Sequence, residues 1–474
     1  MIRLRPSFAT LFACTAVYAW CTACTTPPPT ERPNVLLISI DSLRADHVGA
    51  LGYDRDTTPH IDRVAAGGVL FERAYSTTSW TLPAHVAMLT GRYDSAHKVT
   101  GPLRAVTSDL ELLPESFAAA DYRTVGFYSG PFLHPLFGFG RGFDEYVDCS
   151  SYDLSGLESL GKWSEQADFH KQSHADITNP NVLAAVRSEL ETQQSEPFFY
   201  FVHMWDVHYD LVAPEPYDSM FGAAPDGTAE LRDFGTNPDF RVGMDPNAFD
   251  RVLSMYDGET RYTDETIGKL LEELKQSGLL EDTIVVITAD HGDEFLEHGD
   301  RGHRKTLFDE VLRVPLVFAY GDRFSAGKIN TPVSIIDIAP TLLDLASLPP
   351  LSGTMGRSLA KTLRTGAAPE TTSILGELKA PPRTPDMSVV IRGNDKVIVN
   401  HSTEVALYFD LQSDPGELKP IAAARDQRAA QLLADLALLK NEAQAIAGTY
   451  GEPGTSGALP APMMKRLREL GYLD

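Results

Sequence analysis

An aspartate and a histidine stand side by side at Asp290-His291, directly after the apolar run Thr283 to Ala289. A carboxylate and an imidazole at the end of a buried strand lie where an open α/β sheet presents its ligands. Near the start of the chain a second run, Asn34 to Ile40, leads into Asp41 in the same manner. If the two runs are strands of one sheet, Asp41, Asp290 and His291 meet in one crevice and form a site for a single divalent metal ion. Two carboxylates with an imidazole favour Zn or Mn over Ca or Mg. Taken singly, each aspartate could serve as a turn or helix-cap residue; the matched placement of all three is what points to a metal.

Positioning such a site requires strands that alternate with covering helices. Strand-like runs occur at 34–40, 124–129, 198–204, 283–289 and 314–320, with helical periodicity between them. This alternation predicts an α/β class with a mostly parallel sheet sandwiched by helices. Ile267, Leu270, Leu271 and Leu274 mark the apolar face of an amphipathic helix over 262–276 that ends near Gly278, and 335–348 is a second helix. Residues 213–247 are rich in Pro, Gly, Asp and Ala without steady periodicity and read as an irregular surface excursion of the kind that selects substrates. Beyond Gly366, three short antiparallel strands at 388–392, 396–400 and 405–409 precede a helix at 425–447. They make a small C-terminal α+β subdomain over 367–474, behind a catalytic domain over 34–366.

The chain has 474 residues and a formal net charge of -24. No broad basic face can form, which excludes a nucleic-acid backbone as the main partner. Arg3 and Arg5, followed by the apolar stretch Phe8 to Trp20, read as an export signal over 1–24, too short to span a bilayer comfortably. Cys21-Thr22-Ala23 before Cys24 has the small residues of a bacterial lipobox, with Cys where Leu is usual. Cys24 is therefore the expected lipidation site. The proline-rich stretch 25–33 would tether the anchor to the domain. The expected location is the bacterial cell envelope, lipid-anchored and facing the periplasm or exterior. After processing, Cys149 is the one other thiol, so no internal disulfide is expected.

Read together with Ser79-Trp80-Thr81-Leu82-Pro83 through Leu89-Thr90-Gly91, these residues give the chain a resemblance to the sulfatase family of the alkaline-phosphatase superfamily. The resemblance runs through Ile40 to Tyr53, Thr58 to Asp62, Asp206-Val207-His208, Ala289 to Asp293 and Leu312 to Leu316. It ends with Leu407 to Glu417, in matching order and spacing. It implies the alkaline-phosphatase-like fold, and a metal held by Asp41, Asp290 and His291 with position 81 completing the set.

Position 81 is the main departure. The family carries there a cysteine or serine that is converted to formylglycine, whereas threonine cannot be oxidised to that aldehyde. His85 stands where an arginine is usual, and Ser129-Gly130-Pro131 replaces a Lys-x-His element. Ser42 and His291 occupy positions where many relatives have Asp and Asn. A threonine hydroxyl at a metal and near a helix N-terminus beginning about Pro83 can still act as a nucleophile. An N-cap role for Thr81 is compatible with this. The ester would then be linked to Thr81, an intermediate that phosphorus resolves readily and sulfur slowly. Related phosphatases, phosphodiesterases and phosphoethanolamine transferases use Thr or Ser in this place.

Of the remaining polar residues, His208 matches a substrate-contacting histidine and could protonate a leaving group. Arg304 takes the place of a family lysine, with Lys305 beside it, and either cation could clamp an anionic oxygen. His303 and His85 are further candidates, while His203 and His97 read as structural. Arg44 and Asp46 are expected to form an ion pair that fixes the neighbouring ligand. The expected activity is metal-dependent cleavage of a sulfuric or phosphoric ester. The alternatives are a phosphodiesterase, a phosphonate ester hydrolase, a phosphoethanolamine-type transferase, or a catalytically silent envelope protein that binds glycans. The expected partner is an anionic ester, with a glycan or another envelope component as its carrier, and the membrane is reached through the lipid anchor.

Overall fold

Every residue of Asn34–Ile40 is buried, because this strand runs parallel between two others, Phe198–Met204 and Thr283–Ala289, and has no solvent face. That explains its continuous apolar sequence, which is the signature of a strand covered on both sides. The computed structural model describes residues 32–455 and 464, except 103, 151–176, 194–195, 209, 223–230, 232, 236 and 380–384. The export signal, Cys24 and nearly all of the tether therefore lie outside the described residues. Part of the 213–247 excursion does as well. No helix among the described residues is long and apolar enough to cross a membrane.

The main sheet has nine strands. Across it run Gly327–Ile329, Val69–Tyr75, Arg313–Ala319, Thr283–Ala289, Asn34–Ile40, Phe198–Met204, Arg123–Tyr128 and Glu145–Asp148, with Val333–Ser334 also pairing with Val69–Tyr75. The strands from Thr283–Ala289 to Glu145–Asp148 are parallel. Arg313–Ala319 is antiparallel to both its neighbours. It follows Thr283–Ala289 through the loop that carries Asp290 and His291. A chain that returns from the same sheet end without a crossover helix must pair antiparallel. The sheet is thus mostly parallel, as the sequence pattern implies, with an antiparallel element that the pattern did not distinguish.

Helices flank this sheet in two groups. Pro59–Gly67 and Asn179–Thr192 both pack on Pro246–Gln276, and Thr81–Thr90 packs on Ile338–Leu345. Pro246–Gln276 is 31 residues long and begins well before the expected 262, with Asp245 capping it by accepting from the Asn247 N–H. Its first half was obscured by Tyr256, Asp257, Gly258 and Glu259, which are buried polar and small residues that break the apolar stripe.

The C-terminal antiparallel sheet has five strands: Ile374–Leu378, Met387–Arg392, Asp395–Asn400, Val405–Asp410 and Ile421–Ala422. One of its clusters buries Tyr75, Leu307, Val311 and Leu312 of the main body together with Ile374, Val389 and Phe409. Another gathers Leu375, Val390 and Val397 with Leu432 and Leu436 of the helix Gln427–Ala447. The buried Lys396 ammonium lies between these bodies, 2.7 Å from Asp309 Oδ1 and 2.8 Å from Glu417 Oε1. Lys396→Met should lower stability by about 3–5 kcal/mol, since it strands the buried Glu417 and partly buried Asp309 carboxylates without their cation. Guanidinium unfolding of the two proteins measures this.

Candidate active site

Asp41 and Asp290 emerge from neighbouring parallel strands whose register pairs Ile40 with Ala289, so the two carboxylates leave the sheet at the same level. Ser42 then adopts a left-handed backbone (φ 58°). Such a conformation costs a non-glycine residue on the order of 1–3 kcal/mol. Here it lets the Ser42 N–H donate to Asp290 Oδ1 at 3.1 Å, while the Ser42 hydroxyl donates to Asp41 Oδ1 at 3.0 Å. Tyr256 closes the turn from behind, its hydroxyl donating to the Ser42 carbonyl and accepting from the Arg44 N–H. Arg44 pairs with Asp46, as its spacing implies, and also donates to the Asp293 carbonyl and to Glu297.

His291 completes the group. Its Nδ1 lies 3.0 Å from the Gly292 carbonyl, which can only accept, so Nδ1 carries the proton and Nε2 presents a lone pair. That lone pair is 3.4 Å from Asp290 Oδ2 and 4.0 Å from Asp41 Oδ1. Asp290 Oδ2 is buried and accepts no hydrogen bond. Three acceptor groups with no shared donor, all fully buried, repel one another unless a cation lies between them. The donor set fits a divalent metal on this ground, and the three ligand atoms lie within 4.8 Å of one another. Without a cation the strain is carried by protons. Burial raises the Asp41 pKa to about 6 and also raises that of Asp290, with Asp41 adding to the effect. Burial disfavours a charged His291, but the Asp290 and Asp41 carboxylates outweigh it and raise the ring's pKa.

Thr81 is the first residue of the helix Thr81–Thr90, which starts two residues before the expected Pro83. Trp80 holds the cap position, so Thr81 is not the N-cap. Its hydroxyl instead lies 3.2 Å from His291 Nε2 and 3.4 Å from Asp41 Oδ2. The preceding loop is tied down at almost every residue. Ser76 N–H donates to the Leu312 carbonyl and the Thr77 hydroxyl to Asp94, while the Thr77 carbonyl accepts from Glu377 N–H. Ser79 donates its hydroxyl to the Thr306 carbonyl and accepts from Arg304 N–H. At the far end Gly91 closes the helix with φ 66°, where a side chain would run into Thr354.

The remaining predicted residues fall into different settings. His85, one turn along the same helix, donates from Nδ1 to the Thr81 carbonyl and accepts from the Ser39 hydroxyl at Nε2, both at 2.9 Å. With both nitrogens engaged and burial lowering its pKa to about 4, it suits fixing the helix start more than the direct catalytic contact for which it is a candidate. His208 is buried and stacks on Trp205 with ring centroids 4.0 Å apart, 5.3 Å from the His303 ring. His303 lies 2.7 Å through Nδ1 from Asp293 Oδ1, and its ring is 4.5 Å from that of His291. The Arg304 guanidinium sits 4.6 Å over the ring of Trp80, the residue that precedes Thr81 in the chain. Lys305 turns to its own loop, donating to the Arg301 carbonyl at 2.7 Å and lying 3.8 Å from Asp300, so its ammonium is less well placed for an anion than Arg304.

Two residues carry more than the sequence reading gave them. Asp293 was seen only as part of the motif, yet it is fully buried and orients His303. His203 read as structural, and it lies 3.4 Å from Asp41 Oδ2 through Nε2. The available signal was a lone polar residue in the apolar run Phe198 to Met204. A separate group, His298, Glu310 and Glu417, lies apart from these ligands, and its charges are already balanced pairwise by His298 on Glu310 and Lys396 on Glu417. Asp206 accepts from the backbone N–H groups of Thr178 and Asn179, so it caps the helix Asn179–Thr192 and steadies the segment carrying His208.

Comparison with known proteins places this geometry in context. The family model Sulfatase matches residues 33–348, and the model described as N-sulphoglucosamine sulphohydrolase, C-terminal, matches 297–444. An ulvan-active sulfatase of Formosa agariphila is 27% identical over 362 residues, which cover 70% of this chain and 65% of that one. An arylsulfatase of Clostridium perfringens is 24% identical over 437 residues, 82% of this chain and 89% of that one. The crystal structure of the phosphonate monoester hydrolase of Agrobacterium radiobacter superposes with a TM-score of 0.67 at 23% identity, covering 87% of this chain and 96% of that one.

Proposed function

Because the chain belongs to the sulfatase family of metal-dependent, ester-cleaving hydrolases, we propose that it acts on a phosphoric or phosphonic ester with Thr81 as nucleophile. The observation that carries this reading is the Thr81 hydroxyl, 3.2 Å from the bare nitrogen of His291 and 3.4 Å from Asp41 at the first turn of a helix. Asp41, Asp290, His291 and Thr81 would hold one divalent cation. When bound, that cation lowers the hydroxyl pKa and neutralises charge on the ester oxygens.

The chain's own residues account for the rest. Thr81 gives up its hydroxyl proton to solvent and its Oγ attacks phosphorus in line, the bond to the leaving oxygen breaks, and His208 supplies that oxygen with a proton that it later regains from solvent. Arg304, held over Trp80, steadies an equatorial oxygen, and His303, oriented by Asp293, faces the same space; Lys305 contributes positive potential from the adjoining loop. Water then displaces Thr81 Oγ from phosphorus, so the threonine hydroxyl is restored and the free acid leaves. A sulfated threonine lacks the easy exit that an aldehyde hydrate provides, so sulfate esters turn over slowly by this route. The substrate is an anionic ester on a glycan or another envelope component. The protein reaches it as an exported lipoprotein anchored through Cys24, which the charged, apolar and small-residue order of residues 1–24 supports.

The test is a rate comparison of nitrophenyl phosphate, phosphodiester, phosphonate and sulfate with Zn or Mn supplied. Phosphorus esters are expected to be cleaved at least tenfold faster than the sulfate. A clear preference for sulfate would reject the phosphorus reading. Detergent partitioning that persists in Cys24→Ser would reject the anchor.

A further inference from the structure

We propose that His203 is a positioning residue that donates from Nε2–H to Asp41 Oδ2 and holds this carboxylate in its metal-binding orientation. The inference rests on the reading above that Asp41 is a metal ligand. His203 sits in register with Ser39 on the neighbouring strand, one residue before the sheet ends, and its side chain has no exposure. Neither ring nitrogen makes a hydrogen bond. Its Nε2 is nevertheless 3.4 Å from Asp41 Oδ2.

An imidazole carries a proton on at least one nitrogen. With the proton on Nδ1 alone, the Nε2 lone pair would face the carboxylate lone pairs, and a buried N–H would stay unsatisfied at a cost of about 1–3 kcal/mol. With the proton on Nε2, an N–H is set against the carboxylate in place of a lone pair, and only an acceptor is left over. The second arrangement therefore prevails. The slot for the ring is also built: a side chain on Gly130 would come within 2.9 Å of His203 Cε1 and 2.8 Å of Trp205, and the Ser129 hydroxyl donates to the His203 carbonyl. Gly130 belongs to the Ser129-Gly130-Pro131 stretch that departs from the family's Lys-x-His element. The missing side chain at Gly130 leaves the room that the His203 ring occupies.

Bracing of this kind typically changes metal affinity 10- to 100-fold. Metal-free full-length protein is titrated with Zn2+ by calorimetry, as wild type, His203→Leu and His203→Gln. The leucine variant should bind roughly 10–100-fold more weakly. Glutamine, which restores an N–H donor, should recover most of the loss. If leucine leaves the dissociation constant unchanged, or glutamine is no better than leucine, the proposal is overturned while the metal reading stands. If the wild type itself takes up no Zn2+, both fall. Should the leucine variant fail to fold, 15N-histidine spectra of the wild type decide, with His203 assigned through the glutamine variant. A proton on Nε2 is expected, and a proton on Nδ1 alone overturns the proposal.

Discussion

Thr81→Ala should abolish turnover, with kcat falling by at least about 10^4-fold, the scale on which loss of a covalent nucleophile is felt. The alanine keeps the helix start, since Trp80 rather than Thr81 occupies the cap position and His85 bonds the carbonyl at position 81, not its side chain. The fold should therefore change little, and metal affinity, with Asp41, Asp290 and His291 kept, should fall by less than the rate. Thr81→Ser retains a hydroxyl at the same place and should recover much of the activity. A steady-state assay beside circular dichroism separates these outcomes. Rates for Thr81→Ala equal to wild type would mean that this hydroxyl is not the nucleophile. Were both rates also no faster than buffer, the protein would be a binder of anionic glycans built on an enzyme's frame.

Removing Asp290 should eliminate bound metal and activity together. Asp290→Ala deletes a carboxylate that both anchors the turn and faces the imidazole: its Oδ1 accepts from the N–H groups of Ser42 and His291, and its Oδ2 faces His291 Nε2. Metal affinity should drop by more than about 100-fold, beyond what loss of an outer partner produces. Thermal melting provides an independent readout. A ligand present at 100 times its dissociation constant stabilises the native state by about 2.7 kcal/mol. Wild type should therefore melt lower after chelation and recover with Zn or Mn, whereas Asp290→Ala should melt at the same temperature with or without metal. Stoichiometric metal retained by the variant, measured by elemental analysis, would contradict the site.

The strands that deliver Asp41 and Asp290 were legible from sequence because full burial on both faces leaves uninterrupted apolar runs, and their observed bounds match the expected 34–40 and 283–289. Val69–Tyr75 was not legible, since Glu72 and Arg73 interrupt it where the sheet approaches its edge. Ile374–Leu378 was hidden in the same way by Gly376 and Glu377. Within the site, residue types pointed to the three candidate metal ligands, but hydrogen-bond geometry separated the rest. His85 and His203 are both histidines buried beside the aspartates, and only the positions of Ser39, Thr81 and Asp41 show that one steadies a helix while the other faces a carboxylate. Lys305 and Arg304 are neighbours in sequence that a left-handed turn at Arg304 (φ 68°) sends to different partners.

The bond from Glu377 N–H to the Thr77 carbonyl ties the C-terminal sheet to the loop before Thr81, four residues from the proposed nucleophile. This appendage cannot be exchanged like a detachable module without disturbing the chemistry. Evolution acting on residues distant in sequence, along the strand Ile374–Leu378, thereby gains a handle on how rigidly the threonine is aimed.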